Sequence, residues 1–219
     1  MVDFSQARRA MVDGQLRTAD VTRTDILDIF SVVPRELFVD PSEEAVAYAD
    51  RAVLSAGGVG RKILSPMTLA RMIQATDIKA GDRVLDIAAG SGYTTALLAG
   101  LGGHVILLED QAEQCAVARD ALKRANSGGV NVQQGELTRG LAQSAPYDII
   151  LINGRCEHVP QSLFQQLKEG GRLVAIFGSA LTAEVRVYTL SDGSVGEKRL
   201  MSASGPLLSG FVQVSGFVF

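Results

Sequence analysis

Arg83-Val84-Leu85-Asp86-Ile87-Ala88-Ala89-Gly90-Ser91-Gly92-Tyr93 decides how the rest of the chain is read. Val84 and Leu85 are the apolar run of a buried strand, and Asp86 stands at its end. Small residues then turn the chain into a helix that continues through Thr94 to Ala99, while Lys79-Ala80-Gly81-Asp82 supplies the turn before the strand. A strand feeding a glycine turn and a helix is the entrance to a nucleotide site in a doubly wound sheet. Glycine has no Cβ to hold a ligand away from the backbone, and the helix start offers unpaired N–H groups.

The turn itself narrows the choice of nucleotide. With Gly90 and Gly92 as the first pair of a G-x-G-x-x-G fingerprint, the third position is Thr95, so a dinucleotide site fails. No lysine completes a phosphate loop. The remaining pattern, Asp-x-small-x-Gly-x-Gly with Asp86 inside it, resembles motif I of the S-adenosyl-L-methionine-dependent methyltransferases. Such a site needs a second acid at the end of the next strand to take ribose hydroxyls. His104-Val105-Ile106-Leu107-Leu108-Glu109 provides it in Glu109, followed by Asp110.

Composition agrees with one globular unit. The chain has 219 residues, 47% of them apolar, enough for a sizeable core and against disorder. A net charge of −3 argues against a generic partner for nucleic acid or an anionic membrane. Two cysteines, Cys115 and Cys156, make no disulfide or metal framework, and two histidines exclude a multi-histidine metal site. No metal is expected. The start lacks a basic region followed by an apolar core, and no apolar run approaches the length of a bilayer span, so a cytoplasmic protein is expected.

Residues 1–78 read as a helical cap. A helix over 3–16 turns Phe4, Ala7, Met11 and Leu16 inward, a second opens at Thr22-Arg23-Thr24-Asp25 and stops at Pro34, and Ala45 to Asp50 forms one more turn. After a loop at Ser55 to Gly60, Arg61 to Leu64 suggests a short strand, and Ser65-Pro66 an N-cap and first helical residue. From residue 79 to 219 strands and helices alternate: strand 83–86, helix 92–100, strand 104–108, helix 111–126, strand 130–133, strand 147–152, a helix from Pro160 through Leu167 and strand 172–177. Antiparallel strands are expected at Ala183 to Leu190 and Phe211 to Phe219, with a turn at Asp192-Gly193 and a loop at 202–209. Asp86, Glu109, Glu136 and Asn153 all fall at the carboxyl ends of parallel strands, where such sheets bind ligands.

Further segments resemble one family, the protein-L-isoaspartate O-methyltransferases. They are Met11-Val12 with Gln15-Leu16, Val33-Pro34-Arg35-Glu36 with Phe38-Val39, Ala47-Tyr48 with Asp50, Gly60 ahead of Pro66, Asp86 to Tyr93, Glu109, Gly135-Glu136, and Gln166-Leu167 before Gly170-Gly171. The resemblance covers roughly residues 8–178, and the Val-Pro-Arg-Glu-x-Phe-Val segment is its most specific part. It implies a Rossmann-like class I α/β fold: a seven-stranded, mostly parallel sheet with helices on both faces, the last-inserted strand antiparallel, and extra N-terminal helices. It implies S-adenosyl-L-methionine as cofactor and an isoaspartyl-containing protein or peptide as acceptor in protein repair; the alternatives are another carboxylate acceptor, or a non-catalytic homologue that keeps the fold and binds the cofactor. Asp86, Ala88, Gly90, Gly92, Tyr93, Glu109, Asp110, Glu136, Leu137 and Asn153 are then the cofactor residues, and Asp50, Lys62, Leu64 and Ser65 flank the reacting groups.

The chain departs from that pattern where the acceptor would bind. The family's Gly-Gln-Thr-Ile-Ser-x-Pro reads Gly60-Arg61-Lys62-Ile63-Leu64-Ser65-Pro66, so the serine that contacts substrate aligns with Leu64, and Met67 stands for a common histidine. Ala88 replaces the first glycine of motif I, and Gly-Asp-Gly reads Gly135-Glu136-Leu137. Arg61 and Lys62 are cations that could hold an acceptor carboxylate, or solvated loop charges, the commoner state of such residues. His158, after the fourth strand, is either at the site or on the surface. An ionised carboxylate is already a nucleophile and the sulfonium carries its own leaving group, so the absence of a catalytic triad is no obstacle.

Overall fold

The apolar runs around the motif turn become the centre of a sheet. A computed structural model describes residues 3–58 and 60–213. Its main sheet has seven strands: β3 (Arg83–Ile87), β4 (His104–Glu109), β5 (Asn131–Gln134), β6 (Tyr147–Cys156), β7 (Leu167–Phe177), β8 (Glu184–Ser191) and β9 (Ser194–Ser202), in the order β5-β4-β3-β6-β7-β8-β9. The pairs β3–β4, β4–β5, β3–β6 and β6–β7 are parallel, and β8 is antiparallel to both β7 and β9. After β5 the chain crosses to the other side of β3, which makes the gap between the carboxyl ends of β3 and β6 the switch point.

Alternation along each central strand sends side chains to two cores. Val84, Leu107, Ile149 and Val174 face one; Leu85, Leu108, Ile150 and Leu173 face the other. A parallel sheet buried on both faces needs such runs. The first core also takes in the N-terminal helices α1 (Phe4–Met11), α2 (Thr24–Val32) and α3 (Pro66–Thr76) through Met11, Phe30, Leu69 and Ile73, together with α4 (Tyr93–Gly100) and α5 (Ala112–Arg124) through Leu97 and Cys115. The second takes in α6 (Gln161–Phe164) through Leu163, and Leu208 and Phe211 from the tail.

Four expectations are corrected. The last strand of the sheet is not inserted between others but lies at the edge: the two-residue Asp192-Gly193 turn, both residues at positive φ, pairs Ser191 with Ser194 and leaves no chain for a crossover. That strand is Ser194–Ser202, not Phe211 to Phe219, of which 211–213 is not strand and 214–219 lies outside the described residues. The helix expected through Leu167 ends at Phe164, because Leu167 already pairs with Tyr147. At the N-terminus, the helix expected over 3–16 ends its α-helical part at Met11 and continues as a π-helical turn, Val12–Leu16.

Candidate functional site

The motif turn is built on left-handed backbone. Gly90 and Gly92 have φ of +62° and +94°, and Ala88, in the place of a third glycine, has φ +59°. An alanine held there costs about 1–2 kcal/mol, which the surrounding packing must offset. Gly90 N–H donates to Glu109 Oε1 at 2.8 Å, so the acid closing β4 is fastened to the turn that follows β3. Glu109 is fully buried, and burial raises its carboxyl above the ordinary range while the Arg61 guanidinium opposes the rise.

Asp86 points inward from the same turn. Asn153 Nδ2 donates to Asp86 Oδ1 and Thr95 Oγ1 to Asp86 Oδ2, each at 2.6 Å. Asn153 Nδ2 also donates to the Ile87 carbonyl, and its Oδ1 accepts from Thr94 Oγ1. The four side chains lock the ends of β3 and β6 to the start of α4. Complete burial pushes the Asp86 carboxyl up to about 7, with the two hydrogen bonds pulling the other way.

A hairpin closes over this turn. Its strands are β1 (Val53–Leu54) and β2 (Lys62–Ile63). Ser55 Oγ accepts from Ser91 N–H at 2.8 Å and donates to Ser91 Oγ at 3.0 Å, and Ser91 Oγ donates to the Phe38 carbonyl. Gln114 Nε2 donates to the Ala56 carbonyl. Arg61 Nε donates to Glu109 Oε2 at 3.1 Å and Arg61 Nη2 to Asp110 Oδ1 at 2.8 Å. Arg61 is therefore no solvated loop charge: its side chain is 12% exposed and bridges two acids.

The other sequence-derived candidates divide. Asp110 joins the Glu109 cluster through Arg61. The Tyr93 ring turns away from it and is fully buried against Phe30, Phe38 and the Arg35 guanidinium, where it packs on the N-terminal segment. Asn153 and Asp86 are spent on each other. Glu136 is exposed and paired with Arg139, and Leu137 belongs to the second core. On the acceptor side, Ser65 caps α3, its hydroxyl accepting from Thr68 N–H, and Asp50 accepts from Met67 N–H in the first turn of that helix. Leu64 is buried and Lys62 exposed. His158 is exposed, its N–H bonded to the Phe211 carbonyl.

Arg35 is the residue that sequence reading missed. It is wholly buried; Nε donates to the Ala47 carbonyl at 2.7 Å and Nη2 to the Leu64 carbonyl at 2.8 Å, over the Tyr93 ring. Its signals were its place in the Val33-Pro34-Arg35-Glu36 segment and a guanidinium set among Val33, Leu37, Phe38 and Val39.

A cofactor with a ribose and an amino-acid end suits these residues. Glu109 and Asp110 stand at the end of β4, beside the positive-φ turn of Gly90 and Gly92, which lies buried beneath the hairpin. A Cβ on Gly90 would lie 2.6 Å from Ser55 Oγ, so the turn accepts close neighbours only because it is glycine. Groups of at least three His, Cys, Asp or Glu able to hold a metal ion are absent among the described residues.

Comparison with known proteins follows the same line. The model of the protein-L-isoaspartate(D-aspartate) O-methyltransferase family matches residues 6–204. The protein-L-isoaspartate O-methyltransferase of Methanoculleus marisnigri is 39% identical over 196 residues, covering 86% of this chain and 88% of its own. That of Koribacter versatilis is 36% identical over 179 residues, covering 82% and 80%. A solved protein-L-isoaspartate O-methyltransferase superposes with a TM-score of 0.80 at 24% identity, over 92% of this chain and 66% of that one. A Plasmodium falciparum structure assigned to the same enzyme, in complex with S-adenosyl-L-homocysteine, gives 0.78 at 19% identity over 92% and 98%. The likeness to these two structures is one of fold.

Proposed function

This chain belongs to the protein-L-isoaspartate(D-aspartate) O-methyltransferase family, and from that premise we propose that it methylates the α-carboxyl of isoaspartyl residues in damaged protein. It is an S-adenosyl-L-methionine-dependent methyltransferase by that membership. The observation that carries the reading is Glu109, an acid at the end of the strand after the motif turn, tied to Gly90 at 2.8 Å.

The bound cofactor supplies an activated methyl on a sulfonium that is its own leaving group. Glu109 and Asp110 would hold the ribose hydroxyls, and the Gly90–Gly92 backbone would lie against the amino-acid end. The Asp86–Asn153–Thr94–Thr95 lock ties this turn to β6 and α4, so a cofactor held on it would be positioned by a turn that is already ordered. Arg35 binds the carbonyl of Leu64 and stacks on Tyr93, coupling the acceptor loop to the first residue of α4. Leu64 keeps that side dry. The acceptor carboxylate, ionised at neutral pH, attacks without a general base.

A second reading has its own observation: where the family serine contacts substrate, Leu64 is 1% exposed and offers no hydroxyl. The acceptor would then be a different carboxylate. Labelled-methyl transfer to an L-isoaspartyl peptide, with the normal aspartyl peptide as control, separates the two. Selective transfer is expected; cofactor binding without transfer to either peptide would move the reading to another acceptor.

A further inference from the structure

Glu109 poses a difficulty for its own assignment. Its carboxylate has no solvent exposure: Oε1 is taken by Gly90 N–H and Oε2 by Arg61. A ribose arriving from solvent finds neither oxygen exposed. The cover comes from one element, the loop between β1 and β2. Ser55 Oγ sits 2.6 Å from where a Gly90 Cβ would be, and Arg61 Cβ 3.5 Å from the same point. Arg61 also takes Asp110, so one guanidinium holds both acids that a ribose would use.

We infer that Arg61 is the residue that sets cofactor affinity, by occupying the Glu109–Asp110 pair until the ribose hydroxyls displace it. The inference rests on the methyltransferase reading above. Two charge-assisted hydrogen bonds, one to a wholly buried carboxylate, must break for every cofactor bound. The ribose replaces them with neutral hydroxyl donors, so part of the binding free energy goes into the exchange. The displaced side chain belongs to the residue next to β2, whose far end runs into Leu64, so clearing the ribose site also shifts the start of the acceptor loop. Cofactor entry would thereby precede a well-formed acceptor site. Glutamine, the residue the family pattern has at this position, can hydrogen-bond a carboxylate but brings no charge to hold it.

The test is S-adenosyl-L-homocysteine binding by calorimetry to the whole protein and to its R61Q and R61A variants, beside an NMR titration that follows the Arg61 Nε–H resonance. R61Q and R61A are expected to bind about tenfold more tightly than the parent. In the parent, the Arg61 Nε–H signal, protected by the buried carboxylate and assigned by through-bond correlation in the parent itself, is expected to vanish as ligand saturates. Unchanged or weaker binding by folded variants overturns the inference. So does an Arg61 signal that persists in the saturated parent, a readout that stands even where a variant fails to fold. If neither the parent nor the variants bind the ligand at all, the cofactor reading itself falls and takes the inference with it, an outcome distinct from the other two.

Discussion

At the scale of single residues, the chain separates groups that build the site from groups that would touch a ligand. Asp86 is a builder whose titration reports on the fold. Buried, it keeps its proton up to about 7, whereas an ordinary aspartate loses it near 3.8. The native state therefore binds a proton that the unfolded state has released between those values, and stability falls as pH rises through that window. Glu109, also raised, contributes in the same direction. Asp86→Asn should flatten the decline: urea midpoints taken at about pH 5 and about pH 8 should differ less in the variant than in the parent. Leu64 is the complementary case. Leu64→Ser should raise kcat/KM on an isoaspartyl peptide if position 64 faces the acceptor, while replacing a buried leucine costs about 2–4 kcal/mol of stability, seen as a lower Tm. A variant that loses stability and gains no activity would remove Leu64 from the acceptor site.

At the scale of elements, legibility followed the strength of local pattern. β3, β4 and β6 are apolar runs beside turn residues, and their starts and order were readable within a residue or so. β9 was not readable: its residues are exposed or half-buried throughout, with no alternating face, and it exists because a tight turn lays it along β8. The site shows the same division. Glu109 could be found from spacing alone, since strand length and turn position fix it. That Tyr93 faces the N-terminal helices and that Arg61 reaches Glu109 across 48 positions are results of packing, to which no local pattern corresponds. The tail depends on packing too. Pro206 and Phe211 carbonyls accept from Arg155, Glu157 and His158 N–H groups, and Leu208 presses on Gly154 so closely that a Cβ there would sit 2.6 Å from Leu208 Cγ. Leu208→Ala should cost about 2–4 kcal/mol and open residues 206–211 to limited proteolysis before the sheet unfolds.

For the whole molecule, the N-terminal helices and the sheet share one core, since Met11, Phe30 and Leu69 cluster with Val84, Leu107 and Ile149. No helix among the described residues is long and apolar enough to cross a membrane. Residues 1–78 are expected to unfold together with the rest: a single thermal transition, with calorimetric and van't Hoff enthalpies equal, is the expected outcome, and two resolved transitions would show an independent cap. The docked tail adds a constraint in time. The stretch 206–211 lies beyond the residues that match the family model, leaves the ribosome after the sheet it docks on, and yet completes the hydrogen bonding of the strand end beside the switch point. A nascent chain can assemble its sheet, but the N–H groups of Arg155, Glu157 and His158 lack these acceptors until residues 206–211 have been made. A chain cut before residue 206 would carry a nearly whole sheet with those N–H groups bare, so the strand end beside the switch point is closed by residues that lie some fifty positions after it.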